Sequence, residues 1–374
     1  MKKVLFFITN LAHGGAERVL VNLVNNLDKS KYDIAVKTIF DEGVNKQYLS
    51  PDINYSFVFK NTFHGIKYIT KFLPAKLLHR MFVKEKYDME IAYLEGPPAK
   101  IISGAGDNIK KLAWIHIELL TRKAFVEGFF DMREAVNCYK RFRKIVCVSE
   151  SVKEAFEKIS GIHEDIEVKY NTNETEKIKT LAQEEVTDVE FCSEEINICS
   201  VAKVEYSKGY DRLIQVHEKL IRKGLNHHIY VLGIGSEREK LEKILQQKGL
   251  DKSFTFLGFR ENPYKYVAKC DFYVCSSRRE GFSTAVTEAL ILGIPCISTN
   301  CSGAYELLGE NNEYGLVTDN SVYGLEKGIE LMIKDPNLLN KYKEKVKLRG
   351  NMFERTATVK NVENMIDEII HSRI

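Results

Sequence analysis

Along nearly the whole chain, short apolar runs alternate with stretches in which apolar residues recur every three or four positions. "KVLFFIT", near the start, is a buried-strand pattern. In the "GAERVLVNLVNNL" that follows, Ala16, Val19, Leu20, Leu23, Val24 and Leu27 fall on one helical stripe. "DIAVKTIF", "MEIAYL", "KKLAWIH" and "KIVCVS" continue the strand series, with helical patterns over 66–84, 123–140 and 151–159. Ser151 and Glu154 stand at capping-box spacing at the start of the last of these. Such alternation predicts parallel strands joined by crossover helices.

The pattern stops over 171–195, which is polar, acidic and poor in strand formers. It resumes with "INICSVAKV", "HHIYVLGIG", "SFTFLGF", "CDFYVCS" and "IPCIST", and helices are predicted over 209–222, 236–248 and 283–292. The expected architecture is α/β, with two doubly wound, Rossmann-like domains over 1–170 and 171–355. A terminal helix within 356–374 is expected to cross back to the first domain. Ligands of open parallel sheets sit beyond the carboxyl ends of the strands, so two facing sheets would hold them in an interdomain cleft.

Composition narrows the function classes. At 374 residues, 44% apolar and 29% charged, the chain fits a globular protein of two domains. A net charge of +3 is too small for a dedicated nucleic-acid binder, and no nucleic-acid partner is expected. The eight cysteines include no Cys-x-x-Cys pair, and several lie inside apolar strand-like runs. A zinc site is therefore not expected, and a reduced, cytoplasmic chain is. The apolar start is too short for a signal peptide and lacks a small-residue cleavage site. No apolar run approaches the ~18 residues of a membrane span.

Several constellations follow predicted strands. In "SSRREGFSTAVTEAL", 276–290, the chain turns at Arg279–Gly281 and enters a helix near Ser283. The free N–H groups of that first turn form an anion site suited to phosphate. Glu280 and Glu288 suit the paired hydroxyls of a sugar or ribose, each carboxylate oxygen accepting from an O–H. The plain alternative is a solvated turn residue and an exposed helix residue. In "SVAKVEYSKGYDRL", Lys203 and Lys208 lie on a strand-to-helix loop, where two ammonium groups would neutralise a diphosphate; otherwise they are surface lysines. Gly233 and Gly235 also follow a strand, but Arg238 stands where a dinucleotide fingerprint needs a small residue. Gly14 and Gly15 would let backbone N–H groups approach a phosphate or sugar. His116 and Glu118 end a strand beyond Trp114, where a catalytic group or a structural histidine would sit. Residues 60–86 carry seven Lys or Arg against one acidic residue, with Phe72, Leu73, Leu77, Leu78 and Phe82 interspersed. That composition suits an anionic membrane surface on the inner face of the cell membrane, or a charged solvent face over a core helix.

Nearly end to end, the chain resembles the retaining glycosyltransferases of family 4, which have the GT-B fold and include bacterial capsule, lipopolysaccharide and exopolysaccharide enzymes. The most specific stretch is 257–318, and "GGAERVLVNL" and "VAKVEYSKGYDRLI" match in register. The resemblance implies that Glu280 meets the transferred hexose and Glu288 the nucleotide ribose. Backbone groups of Gly281, Phe282, Ser283 and Thr284 would line the diphosphate or sugar. Lys203 and Lys208 match the family's basic pair, Gly15 its phosphate-side glycine loop, and His116 a histidine near the sugar's anomeric centre; Gly235 is a further expected donor contact. Two positions depart from the pattern: Lys203 is more often Arg, and Ser283 is more often Pro. The implied reaction is retaining transfer from a UDP-hexose or UDP-N-acetylhexosamine to a lipid-linked or growing surface polysaccharide. With no Asp-x-Asp motif, no metal and no cofactor beyond the nucleotide-sugar substrate are expected. A nucleotide-cofactor oxidoreductase and a non-catalytic glycan-binding relative are the other classes weighed.

Overall fold

Seven strands form the first sheet: β1 (Lys2–Ile8), β2 (Tyr32–Phe40), β3 (Asn54–Phe59), β4 (Met89–Ala92), β5 (Lys110–Ile115), β6 (Lys144–Cys147) and β7 (Ile166–Val168). All pair in parallel, in the order β3-β2-β1-β4-β5-β6-β7. The second sheet holds β8 (Ile196–Val201), β9 (His227–Leu232), β10 (Phe254–Gly258), β11 (Phe272–Cys275), β12 (Cys296–Thr299) and β13 (Leu316–Thr318). Its order is β10-β9-β8-β11-β12-β13, again parallel. The computed structural model describes residues 1–12, 14–63 and 65–372, so position 64 of the basic stretch and positions 373 and 374 fall outside it.

Each sheet is built from buried apolar runs, with Val4 to Ile8 of β1 wholly inaccessible and Ile198, Ile229, Val274 and Ile297 equally so in the second. Covering both faces with helices is what such two-sided burial requires. In each sheet the strand order reverses once, between β1 and β4 and between β8 and β11. Loops leaving the carboxyl ends of those two neighbours diverge to opposite sides and leave a crevice for a ligand.

The chain divides into two units, Met1–Asn173 with Arg355–Ile374, and Glu174–Glu354. The helix Arg355–His371 packs in the first unit: Glu363 accepts from the Asp28 N–H at 2.8 Å, and Tyr32 donates to Asp367 at 2.5 Å. The polar stretch 171–195, expected as a joint, contributes a helix, Thr175–Ala182, to the second unit. Asn262 holds Leu181 O at 2.8 Å and Tyr266 holds Asp188 at 2.7 Å, so polar anchors replace the missing apolar periodicity.

Other differences have local causes. The helix expected over 66–84 is two helices, Ile66–Phe72 and Ala75–Phe82, because Pro74 forces an extended approach at the break. The one expected over 123–140 is likewise two, Arg122–Phe125 and Met132–Tyr139, the second capped by Asp131 on the Glu134 N–H at 2.8 Å. The helix Glu150–Ser160 is capped by Ser149, whose Oγ accepts from the Val152 N–H at 3.1 Å, so Ser151 lies inside the helix rather than at its cap.

Candidate active site

The loops leaving β8 and β11, the switch-point neighbours of the second sheet, are fastened to each other. Arg278 forms a two-pronged ion pair with Asp211, both bonds at 2.7 Å, and its guanidinium lies 3.8 Å from the centre of the Tyr206 ring. The Arg278 N–H donates to Ser207 O at 2.7 Å, and Ser276 Oγ donates to Lys208 O at 2.8 Å. Gly209 has φ of +70°, and a Cβ there would overlap Ser276 O, so only glycine lets the two loops approach this closely. Arg212, buried beneath, donates to Ser276 O at 2.7 Å and to Asn320 Oδ1 at 2.8 Å.

This fastening brings Lys208 onto Glu280. The ammonium reaches both carboxylate oxygens, at 2.8 and 2.9 Å, and Ser277 Oγ donates to Oε1 at 2.5 Å. Burial draws the Lys208 pKa down, but the charge and hydrogen bonds of Glu280 outweigh it and leave the pKa above the ordinary lysine value. Lys208 is therefore a cation throughout the physiological range, held rigidly at the end of a strand. Lys203 lies on the same loop five residues earlier and is exposed.

From Glu280 the chain passes through Gly281 and buried Phe282 to Ser283, whose Oγ caps the helix Thr284–Ile291 by accepting from the Val286 N–H at 3.4 Å. Serine thus caps the helix entry. This helix begins in the loop that leaves β11, and the first turn of a helix there is of the kind that binds anions. Glu288, half-buried on the same helix, accepts from Tyr264 Oη at 2.9 Å, which fixes one carboxylate oxygen.

Gly235 has a packing reason beside its expected contact. The loops after β8 and β9 run on as a ladder, with the Val204 N–H donating to Ile234 O at 2.9 Å and the Glu237 N–H to Val204 O at 3.1 Å. A Cβ on Gly233 or Gly235 would overlap the backbone of Ala202 or Val204. Arg238, where a dinucleotide fingerprint needs a small residue, is tied to Glu242 at 2.8 Å.

In the first unit His116 follows β5 and is 8% exposed, its ring tilted against that of Tyr93 with centroids 4.8 Å apart. Its Nε2 has no partner among the described residues, and neither do Tyr93 Oη and Trp114 Nε1 beside it. Burial pushes the imidazole down to about 3, so it is neutral at any physiological pH and acts as a hydrogen-bonding group rather than a cation. Glu95, after β4, accepts from the His116 backbone N–H at 3.0 Å, and burial raises its carboxyl pKa. Gly15 is the exposed first residue of the helix Gly15–Asn26. Sequence reasoning singled out His116 but not Tyr93 or Glu95, nor Ser277 and Tyr264 in the second unit. Only the position of Tyr93 and Glu95 just after a strand could have flagged them.

Comparisons with known proteins fit this geometry. Residues 183–349, which include Lys203, Lys208, Glu280 and Glu288, match the family of glycosyl transferases group 1. That match lies within the second unit, and over it the chain is similar to the group 1 glycosyl transferases. An uncharacterized glycosyltransferase of Haemophilus influenzae is 26% identical over 98% of this chain and 99% of its own length. Also 26% identical, over 96% of this chain and 98% of the relative, is the N-acetylgalactosamine-N,N'-diacetylbacillosaminyl-diphospho-undecaprenol 4-alpha-N-acetylgalactosaminyltransferase of Campylobacter jejuni. Among solved structures, the Anabaena Alr3699/HepE complex with UDP and glucose superposes with a TM-score of 0.77, at 20% identity, over 98% of this chain and all of that one. A glycosyltransferase from Rickettsia africae gives 0.78 at 17% identity over the full length of both. These likenesses place the two-sheet α/β architecture of this chain in the GT-B fold.

Proposed function

We propose that this protein is a glycosyl transferase that moves a hexose or N-acetylhexosamine from a UDP-sugar to a lipid-linked or growing surface glycan, with retention at the anomeric carbon. The observation that carries the reading is the Lys208–Glu280 pair, fixed at the switch point of the second sheet beside the start of the helix Thr284–Ile291. A diphosphate seated there meets one preformed ammonium, a second from Lys203, and the backbone N–H groups of Phe282, Ser283 and Thr284. As the bond to the sugar breaks, negative charge grows on the diphosphate oxygen, and donors already in place stabilise it without reorganising. Glu280 faces the sugar hydroxyls and Glu288 the ribose diol, each accepting charge-assisted hydrogen bonds. With two lysines supplying positive charge, the reaction proceeds without a metal ion, and a chelator leaves the rate unchanged.

The names of the C. jejuni relative and of the UDP-bound neighbour support the choice of donor and acceptor class. The reading is tested with a panel of UDP-, GDP- and ADP-sugars scored for release of free nucleotide from the wild-type protein. Release from a UDP-sugar alone is expected; release from none leaves a glycan-binding protein without transfer.

The first unit supplies a membrane face. Tyr68, Phe72, Leu77 and Met81 are 69%, 64%, 43% and 47% exposed among Lys67, Lys71, Lys76, Arg80 and Lys84, whereas Leu78 and Phe82 anchor the helix to the core. Aromatic and aliphatic side chains set among cations suit the boundary of an anionic bilayer, where a lipid-linked acceptor resides. Replacing Lys71, Lys76 and Arg80 with glutamate is expected to release the protein from phosphatidylglycerol vesicles in a sedimentation assay. Undiminished sedimentation of the triple variant would place the membrane face elsewhere.

A further inference from the structure

Two cysteines of the second unit flank Ser298, close to the turn proposed to bind the donor. Cys275, the last residue of β11, is buried, and its register partner on β12 is Ser298. Its sulfur lies 3.6 Å from Ser277 Oγ and 4.0 Å from Glu280 Oε1. Cys301 follows β12, where the chain folds back through its own N–H to Thr299 O at 2.7 Å, and its sulfur lies 3.9 Å from Ser298 Oγ. Ser298 thus stands beside both cysteines, and interaction with Cys301 lowers the Cys275 pKa to about 7 against the opposing effect of burial, while interaction with Cys275 and burial raise that of Cys301. Two residues on, Gly303 has φ of +73°, and a Cβ there would stand 2.9 Å from the Phe282 ring and 3.1 Å from Gly281 O. The loop carrying Cys301 therefore bears on the turn proposed to bind the diphosphate. A second thiol pair, Cys199 and Cys270, is sealed in the core, and burial raises the Cys270 pKa well above the usual thiol value; Cys301 is partly exposed.

We propose that Cys275 and Cys301 are a reversible thiol–disulfide site through which peroxide-class oxidants lower donor binding. The Cys275 thiolate attacks one peroxide oxygen, the O–O bond breaks, and the sulfur becomes a sulfenic acid while hydroxide leaves and takes a proton to form water. The Cys301 sulfur then attacks the sulfenic sulfur; the S–S bond forms and a second water carries away the hydroxyl and the thiol proton. In sum, two thiols and hydrogen peroxide give one disulfide and two waters, and a dithiol reductant reverses the change. An S–S bond of about 2.05 Å draws the loop after β12 towards β11. Since that loop bears on Gly281 and Phe282, the turn shifts with it, and Cys275 loses its present contacts with Ser277 and Glu280. The regulatory half of the proposal rests on the donor-site reading above; the chemical half does not.

The experiment uses the full-length Cys192→Ser protein, which removes the exposed thiol. After peroxide treatment, free thiols are blocked, the peptides are mapped by mass spectrometry, and UDP affinity is measured by calorimetry. Expected are a 275–301 linked peptide and at least a tenfold weaker UDP affinity, restored by dithiothreitol. Adding Cys301→Ser is expected to abolish the link, leave UDP affinity in the reduced state unchanged and leave it insensitive to peroxide. Absence of the linked peptide in the oxidised wild-type sequence at these positions overturns the site. A link with unaltered UDP affinity overturns the regulation. If the reduced protein binds no UDP, the donor-site reading and the regulation fall together, while the peptide map still decides the thiol chemistry.

Discussion

Replacing Lys208 with alanine is expected to lower sugar transfer by roughly 10²–10³-fold in kcat, the cost of removing one preorganised donor to a developing anion. The ammonium is fixed before substrate arrives: Glu280 holds it at 2.8 and 2.9 Å, and the Arg278–Asp211 clamp holds the loop that carries it. The loss therefore falls on the chemical step as well as on binding. A stability term accompanies it, since alanine leaves the Glu280 carboxylate half-buried without its cation. Thermal melts separate the two, because an unfolding defect lowers the active fraction without altering turnover per folded molecule. Lys208→Arg keeps a cation and is expected to recover part of the rate, but a planar fork does not reproduce the point charge. Near-normal turnover in the alanine variant removes Lys208 from the site. Because His116 is neutral down to about pH 3, no inflection near pH 6.5 in the rate profile is expected to trace to it, and His116→Asn leaves the shape of that profile unaltered.

The second large effect is expected at Glu288. Tyr264 Oη donates to its Oε1 at 2.9 Å, which orients the carboxylate proposed to meet the ribose. Glu288→Gln removes the charge and turns one acceptor into a donor, and is expected to weaken UDP binding by about 1–3 kcal/mol, roughly 5- to 150-fold in Kd. Uridine without phosphates loses affinity by a similar factor in the same variant, because the ribose contact does not involve the diphosphate. An unchanged calorimetric affinity for both ligands contradicts the ribose assignment.

Much of the architecture was readable from apolar periodicity, and what was not has a common cause. Most of the ten strands foreseen have continuous buried runs, such as "VLFFI" in β1 and "FYVC" in β11, while edge strand β10 was legible through its alternation. The three that went unforeseen, β3, β7 and β13, are all edge strands, partly exposed along their length. An edge strand buries at most half of what a central one does, and its pattern blends into loop. Helix interruptions at Pro74 and before Asp131 were visible as residues but not as breaks, since the apolar stripe continues across them. In the site, Glu280, Glu288, Lys203 and Lys208 stood out through family spacing and through their place after strands. The contacts that fix them did not: Arg278 and Asp211, and Tyr264 and Glu288, are far apart in sequence and only folding pairs them, while Ser277 sits near Glu280 without a signal of its own. Glu95 and Tyr93 carry no local signal beyond following β4, and their burial beside His116 is a tertiary fact.

The central claim is that the loops after β8 and β11 grip a diphosphate. Calorimetric titration of the full-length protein with UDP and with UMP tests it most directly. The account predicts that UDP binds at least tenfold more tightly than UMP, and that the double variant Lys203→Ala/Lys208→Ala erases the difference. Equal affinity for the two nucleotides in the wild-type protein, or a preference for UDP that survives loss of both lysines, would contradict it.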